Sequence, residues 1–389
     1  MKIGILTQSM SANYGCNLQA YALQTTLERM GHKVEILNRW GANKKVPLKE
    51  LIVNASVLFI KDFIKLLLRR PIYHAIEEED RCYYWQHILR FQEEYLHLSK
   101  IIKSSAELKN YTASYPFDVF VVGSDQVWRP AYNPGEQLFD MYINFAKDLQ
   151  VQRLSYAASF GVDDWEYSDE QTRVSAELAK LFDAISVREK SGIKLCKDNL
   201  GVDAKLVLDP TLLLDACDYN ILIEKKLSEK VEGGLFCYIL DSSESTLRTM
   251  DYVEKVTGLK RFICLPLIPE NSYNVFNKKG CILPSPEEWL RCFRDAEMVL
   301  VDSFHGMVFS IIYNKPFWVI GNAKRGLARF HSLLSLFNLE NRLVSSEQIQ
   351  TINLHQSINW DFVNARRAEL LAESKNFLLN NLSQTKRQM

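Results

Sequence analysis

The sequence predicts an α/β protein of two parallel-sheet domains. Two observations carry this. Short apolar runs alternate with amphipathic helical stretches from Lys2 to about Val344, and run after run ends in small, polar or charged residues. At 389 residues the chain is long enough for two domains of ordinary size.

The first 40 residues form one β-α-β unit. Ile3 to Leu6 reads as a strand, Gln19 to Met30 as a helix with Ala20, Leu23, Leu27 and Met30 on one stripe, and Val34 to Leu37 as the returning strand. Gly31 stops the helix. The intervening loop SMSANYGCN lacks the GxGxxG fingerprint, so no dinucleotide is inferred. Its Asn13, Gly15 and Asn17 either contact a ligand or simply make the turn. Residues 50–70 are apolar, interrupted by Lys61, Asp62 and Lys65 and closed by Arg69-Arg70. That pattern suits a core-packing helix or an interfacial helix on anionic lipid. A charged helical stretch follows from Ala75 to about Leu98 with a structural role. Alternation then resumes with strands at Phe117–Val122, Leu154–Ala158, Ala184–Val187 and Lys205–Leu208. They end in GSDQVW, SFG, REKSG and DPT, and four such endings in a row predict a shared cleft.

The stretch after Asp209-Pro210 reads as the inter-domain connection. A second set starts at Gly234: strand Leu235–Leu240, helix Ser245–Thr257, strand Arg261–Leu265 and helix Pro284–Asp295. A long amphipathic helix from Trp360 to Leu382 crosses back to the first domain. The expected domains are 1–214, with a helical insert at about 45–110, then 215–355, then the returning tail 356–389. Two Rossmann-like domains facing across a cleft, with a C-terminal helix returning to the first, describe the GT-B architecture.

Lys+Arg and Asp+Glu both number 47, and this balance argues against a nucleic-acid binder. Eight scattered cysteines without a CxxC pair predict buried thiols in a reducing, cytoplasmic compartment, not disulfides or zinc. The chain opens directly on a strand, so no signal peptide is expected, and no apolar stretch is long enough to cross a bilayer.

The most informative stretch is EMVLVDSFHGMVFSIIYNKPFWVIGN, from Glu297 to Asn322. Met298–Val301 reads as a buried strand, Asp302 and Ser303 as helix N-cap residues, and Gly306–Tyr313 as a short apolar helix that Asn314-Lys-Pro316 stops. His305 then falls in a helix's first turn at a parallel strand's carboxyl end, where free N–H groups and the helix dipole favour an anion. A titratable imidazole there is a candidate for proton transfer. Alternatively, Asp302 only caps and His305 only packs.

NYGCNLQAYALQ, VVGSDQVW, SYAASFG, SVREKSG, LDPTLLL and DSFHGMVFSIIYNKP occur in this order. Together they resemble the polysaccharide pyruvyl transferase family, from Lys2 to about Val344. The resemblance implies phosphoenolpyruvate as donor. The implied acceptor is a sugar hydroxyl pair in a capsular or exopolysaccharide precursor, still on a lipid carrier, and the implied product a pyruvate ketal. It implies His305 as the family's xxHG histidine and Arg188 as the arginine of its SxRE element. Members often carry an arginine two residues before that histidine. Here the position is Ser303, so Lys324, Arg325 or Arg329 would complete an anion clamp with Ser303 and Gly306.

Those residue types fit the chemistry. A carboxylate and a phosphate want guanidinium forks and a helix N-terminus, and a histidine near neutrality both gives and takes protons. Asp125 is a candidate either as a second base or as a holder of acceptor hydroxyls, and Asn13, Tyr14, Asn17, Ser124 and Trp128 are acceptor-binding candidates. No cofactor and no metal ligands are assigned. Two alternatives are a nucleotide-sugar glycosyltransferase on the same fold and a catalytically silent glycan-binding member. The expected place of work is the inner face of the cytoplasmic membrane, through peripheral contact of residues 50–70.

Overall fold

The computed structural model of the chain describes residues 1–41, 61–62, 64–68, 70–226, 234–241, 243–266, 268, 272–321 and 326–382. The chain opens on β1 (Lys2–Leu6), whose Ile3, Ile5 and Leu6 are fully buried. It continues through α1 (Tyr14–Arg29) into β2 (Lys33–Ile36), parallel to β1. The insert carries β3 (Tyr73–Ala75), α2 (Arg81–Tyr84), α3 (Gln86–Tyr95) and α4 (Ser105–Ser114). Then come β4 (Val119–Val122), α5 (Glu136–Asp140), β5 (Gln152–Ala158), α6 (Asp169–Ala179), β6 (Ala184–Val187), α7 (Lys190–Leu195) and β7 (Lys205–Leu206). The first sheet is parallel, in the order β2-β1-β4-β5-β6-β7. Its inner strands are apolar on both faces because helices cover both.

The second half runs α8 (Ala216–Glu224), β8 (Leu235–Tyr238), α9 (Glu244–Thr257), β9 (Arg261–Phe262), β10 (Ser272–Asn274) and α10 (Pro286–Asp295). It continues with β11 (Met298–Val301), α11 (Phe304–Ile312), β12 (Phe317–Ile320), α12 (Ala328–Leu336) and β13 (Leu343–Val344). This sheet is also parallel, in the order β13-β12-β11-β8-β9. The last helix, α13 (Trp360–Asn381), packs on the first domain. Ser374 Oγ accepts from Leu208 N at 3.0 Å, Arg367 Nη2 donates to Leu214 O at 2.6 Å, and Phe377 meets Tyr156. This is the GT-B arrangement.

The two halves are bolted together at several points. β3 of the insert pairs antiparallel with β10 of the second half, which the sequence did not reveal. The Tyr14 ring stacks on Trp289 at 5.5 Å and its hydroxyl donates to Pro284 O at 2.7 Å. Arg90 reaches the buried Glu287 at 2.9 Å. Burial of each such aromatic stabilises the joint by about 1.5–3 kcal/mol. All eight cysteines are free thiols.

Most of the 50–70 stretch lies outside the described residues, including Val57, Leu58, Phe59, Phe63 and Arg69. In its described part Ile64, Leu66, Leu67 and Leu68 are each at least half exposed, so this end does not pack into the core. Among the described residues no helix is long and apolar enough to cross a membrane.

Candidate active site

Each sheet reverses its strand order once, between β1 and β4 in the first and between β8 and β11 in the second. Loops diverge there and leave a crevice at the strands' carboxyl ends. The two crevices face each other and form one cleft of about 510 Å³. Gln8, Ser9, Asp125 and Gln126 line it from the first domain, and Tyr238, Leu240, Asp302 and Ser303 from the second.

Two helices aim their N-termini into this cleft. In α1, Asn13 is the N-cap, and its side chain accepts from Cys16 N at 3.0 Å. In α11, Ser303 is the N-cap and accepts from Gly306 N at 2.9 Å. The first-turn N–H groups of Tyr14, Gly15, Phe304 and His305 have no intrahelical partner, and both dipoles present their positive ends. Asp302 does not cap; its carboxylate takes Leu240 N at 2.8 Å and Asp241 N at 2.7 Å, tying β8 to β11.

His305 is a further point of contact between the halves. Its ring lies so close over Gly15 that a Cβ there would stand 2.0 Å from Nδ1. Only glycine permits this approach. The imidazole is 8% exposed and lines the cleft, and its Nε2 makes no hydrogen bond. Asp209 Oδ2 stands 3.8 Å from Nε2, too long for a hydrogen bond but close enough for strong attraction once the ring is protonated.

Behind the histidine lies a buried charge cluster. Arg188 donates to Asp209 Oδ2 at 2.6 Å, to Asp125 Oδ1 at 3.1 Å and to Ser124 Oγ at 3.3 Å. Thr211 donates to the other Asp209 oxygen through N at 3.0 Å and Oγ1 at 2.7 Å. Burial would raise Asp209, but Arg188 foremost, then His305, hold it at about 2. Asp125 is likewise held below the ordinary carboxylate range, Arg188 overcoming its burial. Burial pulls His305 below 6.5 despite Asp209 and Asp125, so the ring is neutral near pH 7. Burial and then the neighbouring Arg188 bring Arg329 down to about 10, still cationic. Both guanidinium groups lie over the Phe304 ring, at 4.6 Å for Arg188 and 5.6 Å for Arg329.

Two backbone positions near the cluster are strained. Asp125 has φ 74° and Ala157, in β5, has φ 56° where the β5–β6 register shifts. Such conformations cost about 1–3 kcal/mol each and persist where surroundings impose them.

Of the residues singled out from sequence, His305, Asp125, Ser303, Arg329, Asn13 and Tyr14 border the cleft. Others do not. Arg188, the arginine of the SxRE element, is not open to a donor anion: its side chain is 1% exposed and its fork is taken by the carboxylates. Trp128 is fully buried, stacked on Tyr142 and bonded through Nε1 to Met141 O, so no sugar reaches its face. Asn17 is fully buried; it donates to Ser11 O and Asn13 O and accepts from Gln92. Ser124 is spent on Asp209. Gly306 serves packing: a Cβ would meet Ser303 Oγ at 2.8 Å and Val301 Cγ1 at 2.9 Å, and its N–H is taken by the cap. Tyr14 commits its hydroxyl to Pro284. Lys324 and Arg325 lie outside the described residues. One residue was missed: Asp209, in the DPT ending after the Lys205–Leu208 strand, was given no role of its own. Gly15, read as a ligand contact or a turn residue, lies in the first turn of α1 and borders the cleft.

Solved structures with this fold include the UDP-GlcNAc 2-epimerase of Methanocaldococcus jannaschii, with TM-score 0.51 and 12% identity over 97% of this chain and 100% of that one. Arabidopsis thaliana UGT89C1 complexed with UDP gives TM-score 0.54 and 7% identity over 98% and 99% of the two chains. The S. aureus MnaA–UDP co-structure gives 0.53 and 10% over 98% and 96%. At such identities they establish the fold alone. No curated protein matches the chain. The profile that does match, over residues 13–324, spans both helix N-termini and the buried charge cluster between them, and by that match the chain belongs to the polysaccharide pyruvyl transferase family.

Proposed function

We propose that the protein transfers the enolpyruvyl group of phosphoenolpyruvate to two hydroxyls of one acceptor sugar, forming a pyruvate ketal and inorganic phosphate. The observation that carries this reading is His305 between two helix N-termini, neutral and with Nε2 unbonded. The donor's carboxylate and phosphate suit the first-turn N–H groups of α1 and α11 and the Arg329 guanidinium, which supplies the cation missing at position 303.

C2 of the donor becomes oxocarbenium-like as C3 is protonated, and the first sugar hydroxyl adds to it. Neutral His305 takes the hydroxyl's proton, and Asp209 and Asp125 stabilise the imidazolium. That proton balances the one gained by C3, whose methylene becomes methyl. The second hydroxyl then attacks C2, the C2–O bond to phosphate breaks, and phosphate leaves with the second proton. Arg188 acts through others: it keeps Asp125 and Asp209 ionised and in place. Phosphate release that requires phosphoenolpyruvate and sugar together tests the reading. Turnover of a UDP-sugar in its place would refute it.

The acceptor is lipid-linked in this reading, presented at a membrane. Exposed Ile64, Leu66, Leu67 and Leu68 beside Lys61, Lys65 and Arg70 support peripheral contact. Each basic residue near an anionic leaflet contributes about 1 kcal/mol. Salt-sensitive flotation with anionic but not neutral liposomes is expected. Absence of binding to both would remove the membrane step.

A further inference from the structure

The cleft has two chemically different ends. One carries His305, Ser303, Arg329 and Asp125. The other is walled by Ile76, Trp85, Leu265, Pro266, Ile268 and Leu283. The insert builds this second end. β3 pairs with β10 across the domains, Tyr84 O accepts from Leu283 N at 2.9 Å, and Tyr84, Trp85 and Cys281 form a separate apolar cluster with Ile76, Ile268 and Leu283 against it. An apolar wall that joins two domains is held rigidly, which suits a specificity pocket more than a passage.

Trp85 is 5% exposed, and its Nε1–H has no hydrogen-bond partner. Its ring is held by Arg81, whose guanidinium lies 5.0 Å over it and 4.6 Å over Trp40. A buried donor left unmade is costly, and a ligand that supplies an acceptor oxygen relieves that cost. The aliphatic walls would leave a polyhydroxyl ring with unmet hydrogen bonds. They suit a group with one acceptor oxygen and one small apolar end.

We infer that this lobe binds an acyl substituent of the acceptor sugar, its carbonyl oxygen accepting from Trp85 Nε1 and its methyl enclosed by Ile76, Ile268 and Leu283. Ester and amide linkages present the same carbonyl and methyl. The inference rests on the acceptor being a sugar, as in the proposed function, and it adds the insert as the element that selects which sugar.

The test is a saturation-transfer NMR titration of the full chain with methyl gluco-, galacto- and mannopyranosides. Each carries a hydroxyl, an O-acetyl or an acetamido group at C2 or C3. At least one acylated member is expected to bind about tenfold more tightly than its hydroxyl counterpart, with the acetyl methyl strongly saturated; the ester and amide arms identify the linkage. Trp85→Phe, which removes the donor, and Ile76→Trp, which fills the lobe from a partly buried position, should each abolish that advantage while leaving the weak binding of hydroxyl members unchanged. Equal binding of acyl and hydroxyl members, no binding by any, or an acyl preference that survives both variants would overturn the inference. Phosphate release from phosphoenolpyruvate, followed in parallel, separates the two readings. Acyl preference without release keeps the lobe and removes pyruvyl transfer, and release without acyl preference does the reverse.

Discussion

Gly15→Ala is the most revealing substitution, because it places a methyl where the His305 ring now lies. The added Cβ would stand 2.0 Å from Nδ1, against 3.4 Å for an ordinary contact, so the ring must retreat by about 1.4 Å. Gly15 lies in the first turn of α1 with ordinary helical backbone, where alanine stabilises a helix by roughly 0.5–1 kcal/mol relative to glycine. Stability and activity should therefore separate. Displacing a catalytic group by about 1 Å costs on the order of 100-fold in rate, or about 2.7 kcal/mol in the barrier. The expected result is a kcat for phosphate release about 100-fold below wild type, at saturating donor and acceptor, with Tm lowered only modestly, since overpacking the buried ring costs about 1–3 kcal/mol and the helix gain offsets part of it. A folded Gly15→Ala protein with near-normal kcat would refute the placement of His305 in the chemistry.

Further outcomes follow from the same geometry. His305→Ala should lose about 100-fold or more in kcat with its melting curve preserved. In the wild type kcat should fall on acidification with an apparent pKa below 6.5, because burial lowers that histidine; an acid limb that persists in His305→Ala would assign the titration to another group. Arg329→Ala should raise the KM for phosphoenolpyruvate by roughly tenfold to 100-fold while acceptor KM holds, since charge-assisted hydrogen bonds contribute about 1.5–3 kcal/mol; equal donor KM would remove it from the clamp. Arg188→Met should destabilise by about 3–5 kcal/mol in urea, leaving Asp125 and Asp209 buried without their cation; weaker donor binding at full stability would show that Arg188 faces the donor after all. The stability that Asp209 contributes is present above its unfolded value near 3.8 and is lost as pH falls towards 2.

Local patterns in the sequence revealed the scaffold well. Met298–Val301 is the strand expected, and the following helix ends where Asn314, at φ 52°, and Pro316 stop it, though it starts two residues earlier than Gly306. The first helix starts at Tyr14 and not at Gln19, because the apolar stripe begins late while the cap, Asn13, does not depend on hydrophobicity. His305 and Asp125 were legible because each stands at a strand end, and the cleft collects strand ends. The roles of Arg188 and Trp128 were not legible. Arg188 meets Asp125 and Asp209 from 63 and 21 residues away, and no spacing rule connects them. Trp128 follows a strand as a ligand-binding aromatic would, but its burial depends on Tyr142, brought in by the loop beyond. The insert likewise read as charged and structural because pairing of Tyr73–Ala75 with Ser272–Asn274 is a contact between distant segments.

The most direct test of pyruvyl transfer is mass spectrometry of lipid-linked oligosaccharides incubated with phosphoenolpyruvate labelled with ¹³C at C3. Pyruvyl transfer predicts a product heavier by one labelled pyruvate less one water, with phosphate released in equal amount and neither formed by His305→Ala. Labelled donor left intact across the oligosaccharide panel, while a UDP-sugar is consumed by the same preparation, would contradict it.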